Sequence, residues 1–92
     1  MLTESSNNKI VHNVIKGNGK YGIQILNDAT KSANNTIKDN TINDNSDIAI
    51  FNHGIFTTIF NNTIKYNEID GIKIASGGAR TTIDSNNLVD NE

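Results

Sequence analysis

The chain contains no cysteine, proline or tryptophan, and aromatic residues occupy only 5 % of its 92 positions. The absence of cysteine excludes disulfide scaffolds and cysteine-ligated zinc or iron centres. Eight basic residues are scattered from Lys9 to Arg80 at a net charge of −2, so we expect no nucleic-acid partner. No run of about 18 apolar residues is present, so we expect no membrane span. Residues 1–8 also lack the basic and apolar regions of a signal peptide.

Asparagine and isoleucine dominate instead, with 17 and 15 occurrences. They recur at fixed offsets in four copies, which start near Ile10, Ile37, Ile59 and Ile83. Asparagine lies three and eight residues after each start, and Ile or Leu lies five residues after it. The spacing between copies varies, as expected for loops of different length around a constant structural unit. The apolar column at offset five consists of Ile15, Ile42, Ile64 and Leu88.

The repeated segments predict short strands rather than helices. Gly22-Ile23-Gln24-Ile25 matches Gly71-Ile72-Lys73-Ile74, and we align Ile48-Ala49-Ile50 with them after a two-residue deletion. An Ile-x-Ile alternation places both apolar side chains on one face of a strand, and Asn, Thr and Ile are weak helix formers. In the second copy we predict strands at residues 36–39, 41–44 and 47–51. The predicted fold is an all-β parallel solenoid of about three and a half coils, with three short strands in each coil.

The asparagine columns fall where each coil must bend. A short amide side chain tolerates the left-handed backbone region, so we expect these asparagines to occupy it. Amides in successive coils can also hydrogen-bond into a ladder along the axis, while the Ile columns stack inside. The predicted ladder residues are Asn13, Asn40, Asn62, Asn86, Asn18, Asn45, Asn67 and Asn91.

The segment 35–45, which reads NTIKDNTINDN, and its echo TIFNNTIKYN at 58–67 resemble right-handed parallel β-helix repeats. Together with the Gly-Ile-x-Ile strands, the resemblance covers residues 7–91 and points to the pectin-lyase-like superfamily. It implies a right-handed coil, a location outside the cytoplasm or in the cell envelope, and contact with a polysaccharide. No cofactor is evident from the residues themselves, and calcium is the candidate that the resemblance implies.

Function is expected outside the repeated scaffold positions, on the connections that follow the last strand of each coil. These connections emerge along one edge and also carry Asn27 and Asn52. Cations there can pair with uronate carboxylates, and hydroxyl or imidazole groups can bind sugar hydroxyls. The predicted substrate-binding residues are Asp28, Lys31, His53, Ser76 and Arg80.

No catalytic constellation is visible. Among the aspartates at repeat positions, only Asp44 and Asp90 share a coil position, and they lie two coils apart, whereas glycosidases need paired carboxylates. The Asp-Pro-His signature of the related epimerases cannot occur without proline. His12 and Asp39 occupy equivalent positions, which predicts a surface pair or, less strongly, an acid/base or metal pair. If the chain belongs to an enzyme, the resemblance implies a polysaccharide lyase, hydrolase or epimerase.

Three functions are consistent with these observations. The first is recognition of an acidic polysaccharide along the loop edge, the second is a structural spacer as in a tailspike or adhesin, and the third is a catalytic lyase or epimerase core. We interpret residues 1–92 as one β-helix segment of a longer solenoid. Neither end resembles a capping helix, so we expect contact with neighbouring coils or end-to-end self-association.

Overall fold

The computed structural model describes residues 1–26, 32–75 and 78–92. Twelve β-strands lie in this part of the chain, and no helix does. Ten of these twelve strands contain three residues. The strands are β1 (Leu2–Thr3), β2 (Lys9–Val11), β3 (Val14–Lys16), β4 (Ile23–Leu26), β5 (Thr36–Lys38), β6 (Thr41–Asn43), β7 (Ile50–Asn52), β8 (Thr58–Phe60), β9 (Thr63–Lys65), β10 (Ile72–Ile74), β11 (Thr82–Asp84) and β12 (Asn87–Val89).

The strands form three parallel sheets, each with one strand from every coil. Sheet A has the order β1-β4-β7-β10, sheet B β2-β5-β8-β11 and sheet C β3-β6-β9-β12. Consecutive strands lie in different sheets, so the chain winds as a solenoid. We number β2–β4 as coil 1, β5–β7 as coil 2, β8–β10 as coil 3 and β11–β12 as coil 4, while β1 precedes coil 1 in sheet A. The predicted all-β solenoid is confirmed, and β1 is a strand that the repeat pattern did not reveal.

Isoleucine columns fill the interior, as predicted. Ile10, Ile37, Ile59 and Ile83 pair in register in sheet B, and the offset-five column does so in sheet C. In coils 2 and 3 the side chains of these columns are completely buried. Each such side chain stabilises the fold by roughly 1.5–3 kcal/mol. Together the columns form one continuous apolar core.

The asparagine ladder is present along two corners. In each step, the backbone N–H and Nδ2 of one asparagine donate to Oδ1 of the asparagine in the next coil. Asn40 donates to Asn62 at 3.0 Å from both atoms, and Asn62 donates to Asn86 at 2.9 and 3.0 Å. The second ladder runs in the same way from Asn18 to Asn91. These bonds satisfy amide groups that are buried at the corners.

The left-handed residue of each corner is not the ladder asparagine, so that prediction was wrong. It is the residue immediately before, with φ of 61° at His12, 57° at Asp39, 54° at Asn61 and 56° at Ser85. The ladder amide must point inward to reach the next coil. The preceding residue therefore takes the strained backbone conformation, which short polar side chains tolerate best.

A third polar column occupies the corner between sheets A and B, and sequence analysis missed it. It consists of Asn8, Asn35, Thr57 and Thr81, each preceded by a residue with positive φ. Asn8 donates its N–H to Asn35 Oδ1 at 3.0 Å, and Thr57 Oγ1 donates to Asn52 Oδ1 at 3.0 Å. The change from Asn to Thr along this column conceals the repeat.

The predicted register of coil 2 in sheet A was wrong by two residues. Ile50 pairs with Ile23 and Ile72, and Asn52 pairs with Ile25 and Ile74, so no deletion is present. A buried asparagine occupies the second apolar position, where the pattern predicted an isoleucine. Strand β7 accordingly covers Ile50–Asn52 instead of residues 47–51.

Candidate functional site

The outer face of sheet A carries a row of three side chains along the solenoid axis. Gln24, Phe51 and Lys73 pair in register on β4, β7 and β10, and each lies between inward-facing residues of its strand. Because parallel strands are spaced about 4.8 Å apart, this row spans roughly 10 Å over coils 1 to 3.

Aromatic rings cluster around Phe51. Its ring stacks on His53 with centroids 4.7 Å apart and an interplanar angle of 22°. Tyr21 meets Phe51 edge to face, with centroids 5.2 Å apart. Phe51 and His53 are two residues apart on an extended segment, which places both on the outer face. All three rings are half-buried, so part of each ring faces solvent.

Two lysines lie over these rings. Lys73 Nζ is 5.6 Å from the centroid of Phe51, and Lys20 Nζ is 5.0 Å from the centroid of Tyr21. Both lysines are exposed, so their ammonium groups remain available to an anion. We call Tyr21, Phe51, His53 and the two lysines, together with Gln24, the aromatic ledge.

The ledge combines two properties that a binding surface for acidic sugars requires. Flat rings offer apolar surface on which a sugar ring can pack, and the polar groups at their edges donate or accept hydrogen bonds. The lysine ammonium groups can pair with carboxylates. The ledge itself contains no carboxylate, so it does not repel an anionic chain.

Of the predicted substrate-binding residues, His53 is part of the ledge. Arg80 lies at an exposed corner with φ of 57°, and its guanidinium is 5.3 Å from the Phe56 ring, so its described contact lies away from the ledge. Asp28, Lys31 and Ser76 lie outside the described residues.

Sequence analysis also placed Asn27 and Asn52 on the connections that carry the predicted site. Asn52 is completely buried, and its Nδ2 donates to Gly54 O at 3.1 Å and to Thr81 Oγ1 at 3.0 Å. It holds the turn that follows β7 and does not face solvent, so its assignment to the loop edge was wrong. Asn27 lies outside the described residues.

Sequence reasoning missed five residues of the ledge: Lys20, Tyr21, Gln24, Phe51 and Lys73. In coils 1 and 3, the Ile-x-Ile alternation of the sequence already indicated one outward residue between two inward ones. In coil 2 the incorrect alignment placed Ala49 there instead of Phe51. Counting five residues from Asn18, Asn45 and Asn67 to the first inward isoleucine would have aligned the row correctly.

The predicted neighbours His12 and Asp39 lie close together at the corner between sheets B and C. Their Nε2 and Oδ2 atoms are 3.8 Å apart, and Asn61 Nδ2 donates to Asp39 Oδ1 at 2.7 Å. Lys38 Nζ is also 3.8 Å from Asp39 Oδ2. His12 is 77 % exposed, so this is a surface pair of small energy.

The described ranges contain no group of three or more His, Cys, Asp or Glu residues that could hold a metal ion. They contain no helix that is long and apolar enough to cross a membrane. An open depression of about 390 Å³ lies beside Tyr66, Asn67, Glu68, Asp90 and Glu92. Its three carboxylates make it a poor site for an acidic polysaccharide.

Comparison with known proteins agrees with this architecture. A family model for the right-handed β-helix region matches residues 1–88, which is nearly the whole chain. The chain therefore belongs to the right-handed β-helix family, and the handedness expected from the resemblance is confirmed. No curated protein and no solved structure gives a significant match.

Proposed function

We propose that this β-helix segment recognises an acidic polysaccharide, which lies along the aromatic ledge of sheet A. The observation that carries the proposal is the stacking of Phe51 on His53 with Lys73 Nζ 5.6 Å from the Phe51 centroid. A uronate ring would pack on the exposed part of Phe51. Its carboxylate would pair with the ammonium group of Lys73.

The direction of the row supports a chain-like ligand. Gln24, Phe51 and Lys73 follow the solenoid axis, so successive sugar rings would meet successive coils. Lys20, beside Tyr21, supplies a second cation close to coil 1. A charge at each end of a flat ring surface suits a polymer with regularly spaced carboxylates better than a neutral one.

The predicted loop residues belong to the same proposal. Asp28 and Lys31 follow β4 in sequence, and Ser76 follows β10, so both segments continue from strands that carry the ledge. We propose that their polar side chains extend contact with the polysaccharide, with Lys31 pairing with carboxylate groups. Such ligands occur outside the cytoplasm and in the cell envelope, where we propose that the chain acts.

The test is binding of the 92-residue chain to polygalacturonate and alginate, with neutral dextran as the comparison, by calorimetry at low ionic strength. We expect binding to the two acidic polymers that weakens with added salt. Phe51→Ala should weaken binding by about tenfold because the stacking surface is lost. Lys73→Gln, at an exposed site, should weaken it by about three- to tenfold.

Two matched controls separate the ledge from general surface effects. Lys65 Nζ lies 5.6 Å from the Tyr66 centroid on sheet C, and Phe60 is a half-buried outer residue of sheet B. Lys65→Gln and Phe60→Ala should leave binding unchanged. Equal losses in the control and ledge variants, or no binding by the folded chain, would contradict the proposal.

A structural spacer is the second candidate function. The hydrogen-bond ladder runs without interruption from coil 1 to coil 4, which suits a rigid connecting rod. A folded chain that binds none of the acidic polymers would favour this function. A catalytic lyase or epimerase core would require release of unsaturated or epimerised uronate, which the same incubations would reveal.

A further inference from the structure

The two end faces of the solenoid leave part of the apolar core uncovered. At the C-terminal face, Ile74 is 38 % exposed, Ile83 48 % and Leu88 49 %, whereas the equivalent isoleucines of coils 2 and 3 in sheets B and C are fully buried. At the N-terminal face, Leu2, Ile10 and Ile15 are half-buried against the core. Stacked apolar columns of this kind gain stability when a further coil covers them.

We propose that a second copy of this chain stacks head to tail, with its N-terminal face on the C-terminal face of the first. The register follows the columns within the chain. Ile10 of the second copy would pack on Ile83, its Ile15 on Leu88, and its Leu2 beside Ile74. Each of these pairs continues a column that already exists in sheets A, B and C.

The strands at the two ends are complementary parts of one coil. Coil 4 consists of β11 in sheet B and β12 in sheet C, while β1 lies in sheet A ahead of coil 1. In the stacked pair, β1 of the second copy would lie beside β10 and supply the missing sheet A strand of coil 4. Its β2 and β3 would then pair with β11 and β12. The joined coil would leave one inward position unfilled, equivalent to Ile23.

The asparagine ladders also have complementary ends. Among the described residues, no group donates to Oδ1 of Asn13 or Asn18, and the backbone N–H groups of Asn86 and Asn91 have no acceptor. Within the chain, donors of this kind bond to the Oδ1 of the following coil, as Asn62 does with Asn86. Stacking would bring Asn13 Oδ1 of the second copy to Asn86, and its Asn18 Oδ1 to Asn91, so both ladders would continue across the junction.

The charges of the two end faces favour head-to-tail stacking over contact between two identical faces. Residues 1–26 contain three lysines and one acidic residue, Glu4, whereas residues 72–92 contain three acidic residues and two basic ones, Lys73 and Arg80. Two identical faces would therefore repel each other, and unlike faces attract. Because the contact joins two different faces, each added copy exposes a new C-terminal face, and stacking continues beyond a dimer.

The proposal is tested by light scattering of the 92-residue chain across a range of concentrations, at low and high salt. We expect the mass to rise above that of the 10.0 kDa monomer without stopping at a dimer, and to fall when salt is added. A monomer at every concentration would overturn the proposal. A mass that stops at the dimer would also overturn it, since that result indicates contact between like faces.

Charge-reversed variants test the orientation. One variant carries Asp84→Lys and Glu92→Lys at the C-terminal face, and the other carries Lys9→Glu and Lys16→Glu at the N-terminal face. All four positions are exposed, so the fold should be retained. Each variant alone should associate about tenfold more weakly than the original chain, and an equimolar mixture should restore association.

Matched controls use the same residue types at the same coil positions inside the solenoid. Lys65 is in the column of Lys16, and Glu68 is in the position equivalent to Glu92. Lys65→Glu and Glu68→Lys should leave association within about twofold of the original chain. Failure of the mixture to restore association, or equal losses in the controls, would overturn the proposal. None of these measurements depends on polysaccharide binding.

Discussion

Asn62 shows how one side chain connects three coils. Its Oδ1 accepts hydrogen bonds from the backbone N–H and Nδ2 of Asn40, both at 3.0 Å. Its Nδ2 donates to Ile37 O at 3.0 Å and to Asn86 Oδ1 at 3.0 Å. The residue is 1 % exposed, so water cannot replace these partners. Asparagine is suited to this position because a single short amide carries both the acceptor and the two donors.

Replacing Asn62 with alanine should therefore lower the free energy of unfolding by roughly 2–4 kcal/mol. The substitution removes the acceptor of the Asn40 N–H, and an unsatisfied buried donor costs about 1–3 kcal/mol before the cavity is considered. Urea denaturation followed by circular dichroism measures the change. Asn43→Ala, at a half-exposed outer position of β6, should cost less than about 1 kcal/mol. Equal costs at the two sites would contradict a structural role for the ladder.

The residues at the corners explain why the sequence predicted the ladder but not the backbone of the turn. Asparagine recurred at two columns, and its hydrogen bonds followed from stacking like residues in parallel coils. The left-handed positions hold His12, Asp39, Asn61 and Ser85 in one column, which share a backbone conformation and no side-chain type. A pattern search over residue types cannot detect a column that is defined by φ alone.

At the scale of the strand, β7 departs from the repeat because Asn52 replaces an inward isoleucine. The side chain is completely buried, and its Oδ1 accepts from Gly54 N–H and from Thr57 Oγ1, both at 3.0 Å. These bonds fix the turn after β7 and join it to the third polar column. Strand β7 therefore lacks one apolar contact in sheet A, and its Asn52 instead forms hydrogen bonds that fix the next corner.

Asn52→Ile restores the apolar column of Ile25 and Ile74, and yet we expect it to lower the free energy of unfolding by roughly 1–3 kcal/mol. The buried Gly54 N–H would lose its acceptor, and the Thr57 hydroxyl would keep only the long bond to Gly54 O at 3.4 Å, which together outweigh the added apolar contact. Thermal or urea denaturation measures the effect. Ile50→Val in the same strand should cost only about 0.5–1.5 kcal/mol. A stabilised Asn52→Ile chain would show that the turn does not need this anchor.

The asparagine at position 52 also explains how much of the candidate site the sequence could reveal. The repeat predicted three strands for each coil and an outward residue in every Ile-x-Ile segment, which is enough to locate Gln24 and Lys73. Because Asn52 interrupts the apolar alternation, the segment Ile48-Ala49-Ile50 gave a better apparent match, and Phe51 was left out. His53 was predicted from its chemistry and from its place on the connection after the last strand of coil 2, whereas its stacking on Phe51 depends on the side-chain geometry at the end of β7.

At the scale of the whole molecule, the interior of sheets B and C is uniform and the outside is differentiated. Every coil has the same apolar columns in these two sheets and the same ladder asparagines at two corners, whereas the aromatic ledge lies on sheet A alone and opposite charges lie at the two ends. A solenoid allows this separation because each coil contacts only its neighbours, so outward residues vary without changing the core. The same arrangement makes stability depend on the position of a coil along the axis.

Ile59 and Ile83 test this dependence, because they pair in one column of sheet B and differ only in their coil. Ile59 is fully buried and Ile83 is 48 % exposed. In dilute solution, Ile59→Ala should lower the free energy of unfolding by roughly 2–5 kcal/mol, and Ile83→Ala by about 1 kcal/mol. Urea denaturation of both variants measures the difference. At concentrations where copies stack, a second copy covers Ile83, and the two costs should converge. A difference that is independent of concentration would argue against stacking while leaving the solenoid core intact.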